Sequence, residues 1–259
     1  MMAASPSTSS APCKSLHIAI NSLAAYDKPR AKLLADLRAV GVPMRQVHVF
    51  LGGSGAGAAA AWRDGSTGAW FHPVEHNSVD FTGLVHISEN REVFQAVSQW
   101  FYLHDTSSVG AGFWENISRW CTKLPACALP LTRYLPSSSM GLYDASFLHA
   151  QRDAIAVLKN SRGLPAAKWK TRGFGWEDKI FKICDAASPD APIRRFTRKC
   201  WNTTLARPTC ICSSIQVDEQ PQMVYGPGSS PRQLWRFPCV DVIKYKANFA
   251  RNRTLIMEP

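Results

Sequence analysis

SLHIAINSLAAYDKPRAKLLADLRAVGVPMRQVHVFLGG, residues 15–53, decides the fold class. SLHIAI (15–20) is an apolar run of strand length. In KPRAKLLADLRAV (28–40), Leu33, Leu34, Leu37 and Val40 recur at helical spacing, and Pro29 suits a first turn where its missing N–H costs nothing. Gly41-Val42-Pro43 stops that helix, and QVHVFLGG (46–53) is a second strand. Strand, helix, strand is the opening of a parallel α/β sheet.

The next residues, GGSGAGAAAAW (52–62), place Gly53, Gly55 and Ala58 in a G-x-G-x-x-A pattern after a strand. A dinucleotide fingerprint belongs on the first strand-to-helix turn, and this one follows the second strand. No acidic residue closes a third strand at the expected distance, so a flexible Gly/Ala-rich loop is expected instead. Downstream, AWFHPVEH (69–76) reads as a third strand and VDFTGLVHISENREVFQAV (79–97) as mainly helical. WFYLHD (100–105) is the next strand, FWENISRWCTKL (113–124) a helix, and SMGLYDASFLHAQRDAIAVLKN (139–160) a strand passing into a helix. GWEDKIFKICD (175–185) is helical, and beyond about 186 the chain becomes irregular, basic and proline-dotted. The expected organisation is a tail at 1–14, rich in Ser, Ala and Pro and read as disordered, then a single domain over 15–259. An organelle transit peptide is the other reading of that tail, which lacks the apolar core of a secretory signal.

Hydrophobic residues make up 46% of the chain and charged residues 19%, and no apolar run reaches the roughly 18–20 residues of a membrane helix. A soluble protein is expected, cytoplasmic by default. Thirty Lys and Arg against nineteen Asp and Glu give a net charge of +11, which favours anionic partners. Much of that charge collects late, in RRFTRK (194–199) and KYKANFARNR (244–253). No helix-turn-helix, zinc-finger or ribonucleoprotein signature accompanies it, so nucleic acid is not the expected partner. The eight cysteines form no Cys-x-x-Cys pair, and reduced thiols are the default expectation. Asn116, Asn202 and Asn252 stand in glycosylation sequons, which matter only in a secretory compartment.

The functional question sits in QWFYLHDTSSVGAGFW, residues 99–114. An aromatic strand ends in His104-Asp105-Thr106, and the small residues that follow at once read as a flexible loop. In an open α/β sheet ligands bind outside the carboxyl ends of the strands, which is where Asp105 falls. A carboxylate there can hold a divalent cation whose charge neutralises phosphate. The same Asp-Thr-Ser-Ser run would also suit an Asp that caps its own turn.

VDFTGLVHISENREVFQAVSQWFYLHDT, with SSSMGLYDASFLHAQ and GWEDKIF after it, resembles nucleotide-sugar glycosyltransferases of the GT-A fold, over about residues 15–185. The resemblance implies a three-layer α/β/α sandwich with a mostly parallel sheet. It implies transfer of a sugar from a nucleotide-diphosphate sugar to a hydroxyl of an unidentified glycan, protein or small-molecule acceptor. By the same resemblance Asp105 is the metal-binding acid of a degenerate Asp-x-Asp signature, with Mn2+ or Mg2+ as cofactor, and His104 stands at a position often held by a second carboxylate. Asp80 and Tyr26 correspond to residues that meet the nucleotide. Glu177 or Asp178 corresponds to the catalytic base of inverting members. Because His-Asp-Thr supplies one carboxylate, Lys244 and Lys246 are the candidates for neutralising the diphosphate without metal; they would otherwise be a basic strand edge that discourages aggregation. A non-catalytic GT-A-like protein and a basic nucleic-acid-binding protein are the alternatives.

Overall fold

The computed structural model describes residues 15–55, 60–122, 127–132, 139–165, 168–169, 179–187, 201–202, 207–208, 210–211, 215–217 and 233–246. The expected tail, RRFTRK, Glu177 and Asp178 lie outside them, as does the side chain of Lys246.

The opening unit forms as read: strand β1 (Leu16–Leu23), helix α1 (Asp27–Ala39) and strand β2 (Val47–Gly52), with β1 and β2 parallel. Next come β3 (Trp62–Arg63), β4 (Trp70–Val74), α2 (Thr82–Glu89), β5 (Gln99–His104), β6 (Ser107–Val109), α3 (Phe113–Cys121), β7 (Ala128–Pro130) and β8 (Gly141–Asp144). Helices α4 (Ala145–Ala150), α5 (Arg152–Ile155) and α6 (Lys179–Ala187) follow, then β9 (Trp201–Asn202), β10 (Arg207–Pro208), β11 (Ile215–Val217), β12 (Gln233–Phe237) and β13 (Val242–Lys246). No described helix is long and apolar enough to cross a membrane.

The main sheet has seven strands in the order β3-β4-β2-β1-β5-β8-β7. β4, β2, β1 and β5 run parallel, while β3 and β8 are antiparallel to their neighbours. Strand alternation divides the core into two layers. Ile18, Ile20, Val47, Val49, Phe101 and Leu103 face Leu33, Leu34 and Leu37 of α1 and Phe113 and Ile117 of α3. Ala19, Phe50, Trp100, Tyr102 and Tyr143 face α2, α4, α5 and α6. Helices therefore cover both faces, as parallel strands buried on both sides require. The near-continuous apolar character of β1, β2 and β5 follows from the same double burial.

Two local expectations are corrected. The 79–97 segment is α-helical only over Thr82–Glu89, preceded by a 3-10 turn at Val79–Phe81. Asn90 ends the helix, its side chain donating to the His86 carbonyl at 2.7 Å, and Phe94 is buried from a turn rather than from a helix face. The segment after Asp105 does not loosen: Ser107–Val109 is β6, the edge of a four-stranded antiparallel sheet ordered β11-β12-β13-β6. Its glycines serve that docking, since a Cβ on Gly110 would sit 2.3 Å from the Asp241 carboxylate. The Gly110 N–H donates to the Asp241 carbonyl and the Gly112 N–H to the Asp241 side chain.

The described cysteines are not reduced. Cys127, at the start of β7, is bonded to Cys184 of α6, and Cys121, Cys210 and Cys239 are also in disulfides. Among the described residues there is no free cysteine. Spacing could not reveal the first pair, because 57 residues separate its members and only the packing of α6 beside β7 joins them. Structural disulfides persist in oxidising compartments, so the cytoplasmic default does not carry over from the reduced-thiol expectation.

Candidate functional site

Chain order and spatial order diverge at β1. The chain steps outward from β1 to β2 and β4, then returns to place β5 on β1's other side. The two crossovers leave β1 in opposite directions, so the carboxyl ends of β1 and β5 flank a topological switch point, the usual site for ligands in open α/β sheets. Asp105 stands at that point. Its backbone N–H donates to the Asn21 carbonyl at 3.0 Å, continuing the β1–β5 pairing by one bond.

The Asp105 carboxylate also faces β1. Ser22 Oγ donates to Asp105 Oδ2 at 2.8 Å, and the Thr106 N–H adds a backbone bond. Cross-strand bonding therefore joins the local cap expected of an Asp-Thr-Ser-Ser turn. Asp105 is 7% exposed, and burial pushes its carboxyl up to about 6 against the opposing pull of Ser22, Lys244 and Arg30. Arg30 enters from the first turn of α1, donating to the Leu23 carbonyl at 3.0 Å and Ser22 Oγ at 3.3 Å and pairing with Asp27.

His104 and Lys244 close the other side. Lys244 lies in β13, opposite Ser107 of β6, and the Tyr245 N–H bonds the Thr106 carbonyl at 2.9 Å. This zipper carries the Lys244 ammonium inward to Thr106 Oγ1 and, at 3.2 Å, to His104 Nδ1. An ammonium can only donate, so His104 Nδ1 accepts and Nε2 carries the hydrogen toward Ser139 Oγ, 3.1 Å away. Lys244 is 5% exposed and lies between β12 and β6, so the basic-edge reading fails for it. Asp80 Oδ1 is 3.7 Å from the same His104 Nδ1.

Asn21 holds Asp80 in place. Its Nδ2 donates to the Val79 carbonyl at 2.7 Å, and its Oδ1 accepts from the Gly83 N–H and the Tyr102 hydroxyl. The Tyr102 hydroxyl also reaches the Asp80 carbonyl, 3.1 Å away. Among the described residues two non-glycine residues have positive φ, Val79 at 52° and Asp241 at 53°, next to Asp80 and just before β13 respectively. Such backbone is strained, most of all for a β-branched residue, and persists only where its surroundings hold it.

Of the residues singled out from sequence, Asp80, His104, Asp105 and Lys244 thus converge. Tyr26 is half-buried at the N-cap of α1, at the same end of the sheet. Lys246 continues β13 opposite Gln233, and Glu177 and Asp178 lie outside the described residues. Asn21, Ser22 and Arg30 were not expected. The only signal for the first two was a polar pair interrupting the apolar run IAINSL, and Arg30 reads as an ordinary charge on an amphipathic helix.

The assembled donors do not suit a divalent cation. No group of three His, Cys, Asp or Glu able to hold a metal occurs among the described residues. Asp105 is a buried carboxyl with a raised pKa, His104 already uses both ring nitrogens, and a lysine ammonium lies against His104 and Thr106. Hard cations prefer several anionic or carbonyl oxygens, which this set does not supply.

No protein-family model matches the chain, and a search of curated proteins finds no match.

Proposed function

We propose that this protein is a GT-A-type glycosyltransferase, moving a sugar from a nucleotide-diphosphate sugar to an acceptor hydroxyl. The observation that carries the reading is Asp105 bridging to Ser22 across the β1–β5 switch point, with Asp80, His104 and Lys244 around it. The strand order also supports it, with a parallel β4-β2-β1-β5 core extended by antiparallel β8 beside the strand that ends at Asp105. Gly141 at the head of β8 has φ 153°, and a Cβ there would meet the Leu129 carbonyl at 2.3 Å, so the small residue of SMG is a packing requirement.

In this reading the nucleotide approaches along Asp80, whose side chain at 27% is the most exposed of the cluster. Asp80 accepts hydrogen bonds from ribose or base, and Asp105 and Ser22 contact the diphosphate-proximal sugar. Transfer forms a bond from the acceptor oxygen to the anomeric carbon as the bond to the diphosphate oxygen breaks. A base takes the acceptor's proton, the role proposed for Glu177 or Asp178.

The test is a thermal-shift screen of UDP-, GDP-, CMP- and dTDP-sugars on wild type and Asp105→Asn. One donor should raise the wild-type melting temperature, because a ligand that binds only the native state stabilises it. Asp105→Asn should melt normally without ligand and lose most of that shift. If no nucleotide sugar shifts the wild type, the reading is refuted.

A further inference from the structure

Lys244 is the unusual member of the cluster. Taking a lysine ammonium out of water is costly, and such groups are retained where they meet opposite charge or serve a site. Here β13 delivers the ammonium against the residues on either side of Asp105, whose carboxylate it also attracts. The delivery is over-determined. Lys244 pairs with Ser107 on one side and Trp235 on the other, and the Tyr245 N–H bonds the Thr106 carbonyl. At the far end of β6, Asp241 adopts φ 53° and accepts from both Gly110 and Gly112. A strained corner and two glycine contacts thus set the height of β13, and with it the position of one positive charge.

That charge acts on the Asp105 carboxyl, the group expected to hold a divalent cation. Arg30 adds a guanidinium from the β1 side, through Ser22. A diphosphate laid across the carboxyl ends of β1 and β5 would meet an ammonium on one side and, behind Ser22, a guanidinium on the other.

We infer that Lys244 supplies the positive charge that holds the donor's diphosphate, and that nucleotide binding at this site is independent of divalent metal. This rests on the nucleotide-sugar reading above. A fixed ammonium stabilises negative charge on the departing diphosphate without a proton transfer, and it needs no ion to be recruited.

The experiment is calorimetric titration of full-length protein with the nucleoside diphosphate of the donor found by thermal shift, in EDTA and again in millimolar manganese. Wild type should bind equally, within about twofold, in both. Lys244→Met, which keeps the stem and removes the charge, should weaken binding by about 30-fold, a change of the size seen when one member of a buried charged pair is removed. Manganese should not restore it, and Lys244→Arg should recover part of the loss. Wild-type binding that disappears in EDTA and returns with manganese overturns this inference while leaving the nucleotide reading intact. Equal binding by Lys244→Met and wild type in EDTA overturns it too. Absence of binding in both buffers refutes the nucleotide reading itself. The wild-type comparison needs no variant, so it decides the metal question even if Lys244→Met does not fold.

Discussion

Acidification from pH 7 to pH 5 should cost this fold at least about 3 kcal/mol, the part carried by His48 and His72 in a row of imidazoles on the face that α2 covers, less what Asp105 returns. His17 Nδ1 lies 2.9 Å from His48 Nε2, and His48 Nδ1 lies 3.0 Å from His72 Nε2, so one residue from each of β1, β2 and β4 forms a continuous line. Trp100 and Phe94 stand edge-on to the row, and the His86 ring approaches His72. The contacts are satisfied when every ring carries one N–H pointing the same way along the line; an added proton sets N–H against N–H. Burial first, then His72 and His17, hold His48 down to about 2, and burial with His86 holds His72 to about 4. Both lie below the ordinary histidine value near 6.5, so the unfolded chain binds protons that the native state refuses. Stability is complete above about pH 6.5 and falls as the pH drops below it. Each of these two rings then contributes a loss of about 2 kcal/mol by pH 5. Asp105 acts in the opposite sense. Raised to about 6, it takes up a proton in the folded state over the same interval and returns about 1 kcal/mol. His17, His76 and His86 are also shifted downward, chiefly by burial, and push the same way as His48. Around the last two, Lys159 adds to the shift and Glu89 opposes it. The assay is urea unfolding followed by tryptophan fluorescence at pH 7, 6 and 5 with disulfides intact. The wild-type loss should shrink by about 2 kcal/mol in His48→Leu, whatever that variant's stability at pH 7. Flat wild-type stability, or an undiminished loss in His48→Leu, would refute the reasoning.

Replacing Cys127 and Cys184 together by Ala should lower stability by about 4 kcal/mol, the chain-entropy value for a loop of 57 residues, and the melting temperature by roughly 10 °C. An unchanged melting temperature would show that the bond constrains nothing. Gly110→Ala should cost about 1–3 kcal/mol, because its Cβ must displace the Asp241 carboxylate and with it the corner before β13. Wild-type stability with unaltered nucleotide binding would mean that the corner does not position Lys244.

The α/β class was legible because periodicity is local: Leu33, Leu34 and Leu37 cover one face of α1 whatever the rest of the chain does. Asp105 was legible for a similar reason, since a carboxylate ending an aromatic strand lies at the sheet's carboxyl edge in any parallel arrangement. Its partners were not. Ser22 meets Asp105 because β5 inserts beside β1, and the register Asn21↔His104 that aligns them is a property of the assembled sheet. Lys244 could be suspected from charge, but its contact with His104 spans 140 residues and depends on β6, which reads as a loop. The disulfides were hidden for the same reason: all that a cysteine's spacing reveals is its place in the chain.

The cluster at the switch point is a poor way to stabilise a protein. Ser22, Arg30, His104, Asp105 and Lys244 are all buried at the junction of two strands whose neighbouring positions are Ile20, Phe101 and Leu103. Replacing buried ion pairs with well-packed apolar residues is often neutral or stabilising, so burial of these groups is not explained by stability. Two strained non-glycine residues lie on the segments that carry its members, Val79 beside Asp80 and Asp241 at the corner before the strand of Lys244. Strain and desolvated charge that coincide at a sheet's ligand-binding edge point to positioning. Elsewhere on the sheet, the buried histidine row is neutral and mutually hydrogen-bonded, the arrangement expected where only packing is at stake. That contrast within one domain is why the nucleotide experiments begin at Asp105 and Lys244 and the pH experiment begins at His48.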